Sequence, residues 1–281
     1  MEKENKRSIK RILLNTLIIL VIIAVGVFLY AKYVGTKKLV VKEYKLESTK
    51  IPESFSGDKI VYFSDLLYGS TIFKSDLELI VEEINKYKPD IVIYGGDLLS
   101  PGYKIKDEES KGIQTILSKI DANLGKYASF GSKDGESSIK ILENSGFEIA
   151  QNKDYLVYDR SNNPICISII DSYLKGKYNL EEPMKCEGYN IVLTHESDVV
   201  DLIKKDKNPD VILSGNSVGG EIKVPFIGQL IKFKGSNKYY KSYYNVKGTK
   251  VYISNGLGTK KVFLRLFNRP SFTVFRLKST N

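Results

Sequence analysis

From residue 12 to residue 31 the chain is an apolar run whose only hydrophilic members are Asn15 and Thr16. Its length matches the roughly 20 helical residues that cross a bilayer's hydrocarbon core. No polar face interrupts it, as a soluble amphipathic helix would require. Tyr30 and Tyr33 fit an interfacial aromatic belt. Lys3, Lys6, Arg7, Lys10 and Arg11 precede the run, and Lys32, Lys37, Lys38 and Lys42 follow it, a small positive-inside bias. The pattern predicts one transmembrane helix at 12–31 behind a basic segment at 1–11, with the N-terminus inside and the globular part on the extracytoplasmic face. A cleaved signal peptide is the rival reading; the long apolar core and the lack of an Ala-x-Ala site count against it.

Beyond a lysine-rich connector at 32–57, partly alternating and read as an edge strand, the period switches between two and 3.6. Residues 59–63 and 91–94 are continuous apolar runs of the buried-strand kind. Between them Leu77, Ile80, Val81 and Ile84 make one apolar helical face. Ser75 with Glu78 reads as a capping box for that helix, and Lys88-Pro89-Asp90 ends it. A second helix is predicted over 108–120, a short strand over 127–130, and a third helix over 137–144 with Gly146 as its stop. Strands are then predicted at 155–158, 165–170, 190–193, 211–213, 251–254 and 272–277. Alternating strands and helices followed by mostly strands predict an α/β sandwich of two mixed sheets, one domain over 58–281.

Charge and rare residues narrow the chemistry. Of the net +10, residues 222–281 contribute +13, with ten Lys, three Arg and no acidic residue; the first eleven contribute +3, which leaves −6 for the body. A basic C-terminal part suits either a polyanion-facing surface or a plain solvated face. The chain holds one histidine, too few for a histidine-rich two-metal centre. Cys166 and Cys186 have no metal-type spacing. Cys166 sits in an apolar run, so a buried thiol is expected there, with a disulfide as the alternative.

Asp65, Asp97, Ser132, His195 and Asn216 each stand just past the C-terminal end of an apolar strand, where open α/β sheets place their sites. With Gly219-Gly220-Glu221, Ser254-Asn255-Gly256-Leu257-Gly258 and the segment 265–270, they resemble the calcineurin-like metallophosphoesterases, over about residues 59–277. The apolar anchor and the Gly256-Leu257-Gly258 segment look like the membrane-anchored branch, similar to hydrolases of nucleotide-diphosphate-sugar lipids. The resemblance implies an α/β/β/α sandwich and two metals held by Asp-x-His, Gly-Asp, Gly-Asn-His-Asp, a lone His and Gly-His-x-His.

On those patterns Asp65, Asp97 and His195 keep ligands. Leu67, Asn216 and Val218 stand in histidine slots, Ser132 in an asparagine slot, and Lys133 in the slot of the third motif's histidine. The expected cofactor is therefore none, or one weakly bound divalent cation on Asp65, Asp97, Ser132, His195 and Asn216. Two uncompensated aspartates in a cleft would repel; Lys133 either supplies an ammonium within ion-pair reach of them or faces solvent. Lys232, Lys234, Lys238, Tyr239, Tyr240, Lys241, Tyr243 and Tyr244, with Arg265 and Arg269, suggest a surface for anionic lipid or another envelope polyanion. An extracytoplasmic domain is not expected to meet nucleic acid. The functional expectation is a membrane-tethered phosphoesterase fold impaired in hydrolysis that binds a phosphate-bearing ligand or partner. A residual single-metal hydrolase and a non-catalytic scaffold are the alternatives.

Overall fold

A computed structural model describes residues 2–203 and 207–281. Helix α1 (Glu2–Leu29) continues through a wide turn at Tyr30–Val34. The stretch Ser8–Val34 is long and apolar enough to cross a membrane, and none of its most apolar window is buried against the domain. The chain then enters strand β1 (Val40–Ser48) with little slack. Lys37 reaches from the connector to Asp76 at 2.7 Å and to the Thr71 carbonyl at 2.7 Å.

The first sheet combines β1 with β2 (Lys59–Phe63), β3 (Ile91–Tyr94), β4 (Lys126–Ala128), β5 (Glu148–Ile149) and the last strand, β14 (Ser271–Ser279), in the order β1-β14-β2-β3-β4-β5. The second runs β12-β13-β9-β8-β7-β6, from β6 (Lys153–Val157), β7 (Ile165–Ile169), β8 (Asn190–Thr194), β9 (Val211–Ser214), β12 (Tyr243–Val246) and β13 (Thr249–Ile253). A small hairpin, β10 (Lys223–Val224) with β11 (Gly228–Gln229), stands apart.

Strand alternation sorts the core into layers. Ile60 and Tyr62 of β2 join Ile167, Leu193 and Leu213 between the sheets. Val61 and Phe63 turn the other way, onto α2 (Lys74–Lys86), α3 (Asp107–Leu117) and α4 (Glu136–Asn144). The outer face of the second sheet is covered by the 3-10 segment Ser197–Leu202 and by loops, with Val199, Val200 and Tyr239 against Val192, Ile212 and Val251.

Helix α2 begins one residue before Ser75, and its cap differs from the predicted Ser75–Glu78 box: the Asp76 carboxylate accepts the Phe73 amide at 3.0 Å. The short acidic side chain at the third helical position reaches a free amide of the first turn. Cys166 and Cys186 are disulfide-bonded, which corrects the expected buried thiol. The loop carrying Cys186 folds back onto the start of β7, a proximity that only the tertiary fold creates.

Strands β2, β3 and β4 run parallel, as do β7, β8, β9 and β13, so their C-terminal ends share one edge of the sandwich. That edge is also where the long apolar N-terminal helix joins the domain. Val40 pairs with Ser271 at the start of β1, and Thr273 pairs with Tyr62 near the end of β2.

Candidate cation site at the shared sheet edge

Loops leaving β2, β3, β8, β9 and β13 lock onto one another through main-chain bonds. The Asp65 amide donates to Gly96 O at 2.8 Å, Gly215 N to His195 O at 3.0 Å, Ser254 N to Ser214 O at 2.8 Å, and Gly258 N to Asp65 O at 2.9 Å. Asp65, Leu67, Asp97, Asn216 and Val218 all have φ between 46° and 60°. Left-handed backbone costs a β-branched residue such as Val218 more than most. The same backbone shape thus recurs at Leu67 and Val218, whose side chains offer no lone pair, and at Asp65, Asp97 and Asn216, whose side chains do. Gly131 is required by contact: a Cβ there would collide with the Asp97 carboxylate.

Asp65, Asp97 and His195 are fully buried, and each offers an atom within 4.8 Å of the others, a group that could hold a metal ion. Asp65 Oδ2 is held by the Ser64 hydroxyl at 2.5 Å and the Asn216 amide at 3.0 Å. Asp97 Oδ1 accepts the Lys133 amide at 2.7 Å. The Asp97 loop is in turn fixed by buried Asp134, whose carboxylate accepts the amides of Asp97, Leu98 and Gly131 at 2.7–2.9 Å. The remaining oxygens, Asp65 Oδ1 and Asp97 Oδ2, face a common point together with His195 Nε2.

The Nζ of Lys260 occupies that point, 2.8 Å from Asp65 Oδ1 and 2.8 Å from Asp97 Oδ2. Neither contact is aligned as a hydrogen bond, so both are ionic. The aligned donations go to Asn216, at 2.9 Å to Oδ1 and 3.1 Å to its carbonyl. The Asn216 side chain is oriented for this by donating from Nδ2 to Lys234 O and the Ser236 hydroxyl. The Lys260 side chain is 4% exposed, and its ammonium lies 5.7 Å from the centre of the Phe233 ring. Three amides, of Lys260, Lys261 and Val262, converge on the buried Glu221 carboxylate, which fixes the loop that delivers the ammonium.

Charge balances in this cluster. Burial penalises the Lys260 ammonium, but Asp65 and Asp97 more than offset it and raise its pKa. Burial likewise opposes charge on His195, yet the neighbouring Asp97 carboxylate, 3.2 Å away, brings the imidazole up to about 9. Burial also disfavours an ionised Asp97, and the His195 and Lys260 cations hold it well below the usual carboxylate range. His195 Nδ1 lies 2.5 Å from Gly95 O, the contact of a protonated ring nitrogen. Two carboxylates therefore face two cations.

Leu67 and Val218 are both fully buried and pack with Phe233, with Ile231 against them. These positions offer no lone pair to an ion.

The sequence-predicted residues divide as follows. Asp65, Asp97, His195 and Asn216 come together. Ser132 is half-buried beside Gly131 and makes no hydrogen bond to either aspartate among the described residues. Lys133 contributes its main-chain amide, while its side chain is exposed and forms no ion pair with either carboxylate. The ammonium comes from Lys260 instead, because the turn after Gly258 lies over the Asp65 loop.

The predicted surface strip also needs correction. Tyr239 is buried and donates to Asp201 at 2.7 Å, and Lys238 pairs with the same carboxylate. Tyr240 and Tyr244 are half-buried, whereas Lys232, Lys234, Lys241 and Tyr243 are exposed. Arg265 is fully buried and donates to the carbonyls of Asn255, Gly256 and Gly258 at 2.5–3.1 Å. An internal guanidinium satisfied by carbonyls is a strut for the Gly-Leu-Gly turn rather than a surface charge.

Two mixed sheets with an Asp-Asp-His group at their shared edge make a metallophosphoesterase-type fold. No family model matches the chain. It is 29% identical over 289 residues to the uncharacterized metallophosphoesterase YkuE of Bacillus subtilis, covering all of both chains. It is 28% identical over 269 residues to the uncharacterized metallophosphoesterase YkoQ of the same organism, covering 89% of this chain and 94% of the relative. A transmembrane protein with metallophosphoesterase domain from Danio rerio is 26% identical over 258 residues, covering 85% of this chain and 57% of the relative. The chain is thus similar over its length to proteins named metallophosphoesterase, and its long apolar N-terminal helix fits a single-pass membrane protein.

Proposed function

We propose that this chain is a membrane-anchored phosphoesterase-fold protein in which a built-in ammonium has replaced metal chemistry, so that it binds rather than hydrolyses. The carrying observation is Lys260 Nζ, 2.8 Å from both Asp65 and Asp97. A dication bound to the same two oxygens would sit at about 2.0–2.2 Å from them, and an ammonium and a metal do not share that space. A second ion would need ligands where Leu67 and Val218 form an apolar cluster, so the residues present do not fit a two-metal centre. A cleft with a permanent internal cation needs no metal supply. With its charge already balanced by Asp65 and Asp97, it suits a binding or scaffolding role rather than hydrolysis. The Cys166–Cys186 disulfide supports a domain outside the cytoplasm, since such bonds persist in oxidising compartments.

The test is metal content of the purified full-length protein, with hydrolysis of bis-p-nitrophenyl phosphate in added Mn²⁺. The native chain is expected to retain no stoichiometric metal and to show no turnover. A variant combining Lys260→Ala with Leu67→His, Asn216→His and Val218→His is expected to take up metal. The convergence of Asp65, Asp97 and His195 favours a second reading, a single-metal hydrolase from which Lys260 withdraws. Native turnover abolished by Asp97→Asn would establish that reading and end the first.

A further inference from the structure

Beside the foot of the N-terminal helix lie a basic pocket and three exposed phenylalanines that the cation site does not use. The helical stretch ending near Tyr30 rises about 1.5 Å per residue, so residues 12–31 span roughly 30 Å, the thickness of a hydrocarbon core. Ala31 therefore marks the bilayer boundary if the helix spans. The Arg265 amide donates to Ala31 O at 2.9 Å, and the Arg269 guanidinium donates to the Tyr30 hydroxyl at 3.3 Å. Residues 265–269 are thereby fixed at the same height as the end of the span.

Exposed aromatic rings stand on this segment and two residues before it. Phe267 is 68% exposed and Phe263 58%. The base of the β10–β11 hairpin is bridged to the same segment, with Ile222 opposite Leu266 and Lys223 N donating to Leu266 O at 2.9 Å. At its tip Phe226 is fully exposed and Ile227 74% exposed. Isolated exposed apolar residues need no explanation, but a group beside a membrane span does.

Between this loop and the helix foot lies a pocket of about 370 Å³, lined by Tyr30, Lys42, Phe267 and Arg269 among others. Burial, then Lys223 and Arg265, lower the Lys42 ammonium to about 8; burial and Arg265 lower Lys223 as well. Among the described residues no carboxylate pairs with Lys42, Lys223 or Arg269 within 4.0 Å. Cations that crowd one another without a counter-ion suit an anion from outside.

We propose that Phe263, Phe267 and the Phe226–Ile227 hairpin tip form a second membrane contact, and that the adjoining pocket takes the phosphate headgroup of an anionic lipid. This rests on the single-pass reading, because the span sets the height of the loop. The occupant is bilayer lipid, since the pocket opens beside the helix that enters it. Apolar rings would enter the acyl boundary while the lysines and arginine meet the headgroup, the arrangement used by interfacial segments.

The chain has no tryptophan, so each introduced indole is a lone reporter. Full-length protein carrying Phe226→Trp, Phe263→Trp or Phe267→Trp is placed in nanodiscs of phosphatidylcholine and phosphatidylglycerol, with one lipid brominated at a time. Ile19→Trp reports the span, and Tyr158→Trp reports the far edge of the domain, some nine β1 residues away, about 30 Å. Strong quenching is expected at 19, 226, 263 and 267 and none at 158. At 267, brominated phosphatidylglycerol is expected to quench more than brominated phosphatidylcholine. That preference is expected to fall on the order of fivefold for each cation removed in Lys42→Gln and Arg269→Gln. Quenching at 19 without quenching at 226, 263 and 267 overturns the second contact alone. Equal quenching by the two lipids overturns the headgroup site, and silence at 19 removes the spanning helix on which both depend.

Discussion

The two halves of the cleft have met the same demand in opposite ways. On one side Asp65, Asp97 and His195 keep their charge and receive an ammonium from Lys260. On the other Leu67, Val218 and Phe233 have no charge to balance and close up as a small apolar cluster. A buried carboxylate pair must have a counter-ion, whereas an apolar pocket needs only to be filled. The first half should therefore respond to the loss of a charge and to pH, and the second to the loss of volume.

The largest expected effect is on the charged half. Lys260→Met leaves two buried carboxylates without their closest cation and is expected to cost about 3–5 kcal/mol, the usual result of removing one partner of a buried pair. Urea denaturation at several pH values checks this: the loss should shrink toward acid pH as an aspartate takes up a proton. A loss independent of pH would point to packing instead. In the apolar half, Leu67→Ala is expected to cost about 2–5 kcal/mol from lost burial and a cavity. Its cost should not vary with pH, which sharpens the contrast.

Glu221→Gln retains the shape of the side chain but weakens the acceptor of three amides. A loss of about 1–3 kcal/mol is expected, together with looser seating of Lys260, readable as faster hydrogen exchange at Lys260–Val262. The pH dependence of the native chain follows from His195, whose pKa of about 9 lies above its ordinary 6.5. A raised pKa means the stabilisation is complete below about 6.5 and fades as pH climbs through about 9. A thermal midpoint that falls over that window in the native chain, and less so in His195→Gln, is the expected result. The smallest effect should be that of chelators: EDTA is expected to leave the thermal midpoint unchanged, because both halves are filled by side chains.

Much of this was legible in the sequence. Apolar runs ending at Ser64, Gly95 and Thr194 announced strands with Asp65, Asp97 and His195 at their ends, since strand termini are local signals. The counter-ion was not. Lys133 lies next in sequence to the third loop, but its amide makes the contact, while the ammonium comes from a lysine 163 positions beyond Asp97. A clue was available, because two neighbouring buried aspartates need a cation, and Thr259-Lys260-Lys261 directly follows the Gly-Leu-Gly turn. Choosing Lys260 among so many lysines required the packing of Gly258 on the Asp65 loop. Tyr239 and Arg265 misled for a related reason: composition reports a residue's charge or ring, while burial is decided by the fold.

The passage from helix to sheet has a mechanical consequence. Gly35 packs against the Arg265 carbonyl, Lys37 is clamped to Asp76, and Leu39 leads straight into the outermost strand. Such a junction works as a post rather than a leash: it leaves the globular part little radius to sweep. Whatever the cleft meets must come to it, either by diffusing in the plane of the lipid or by being small enough to slip beneath.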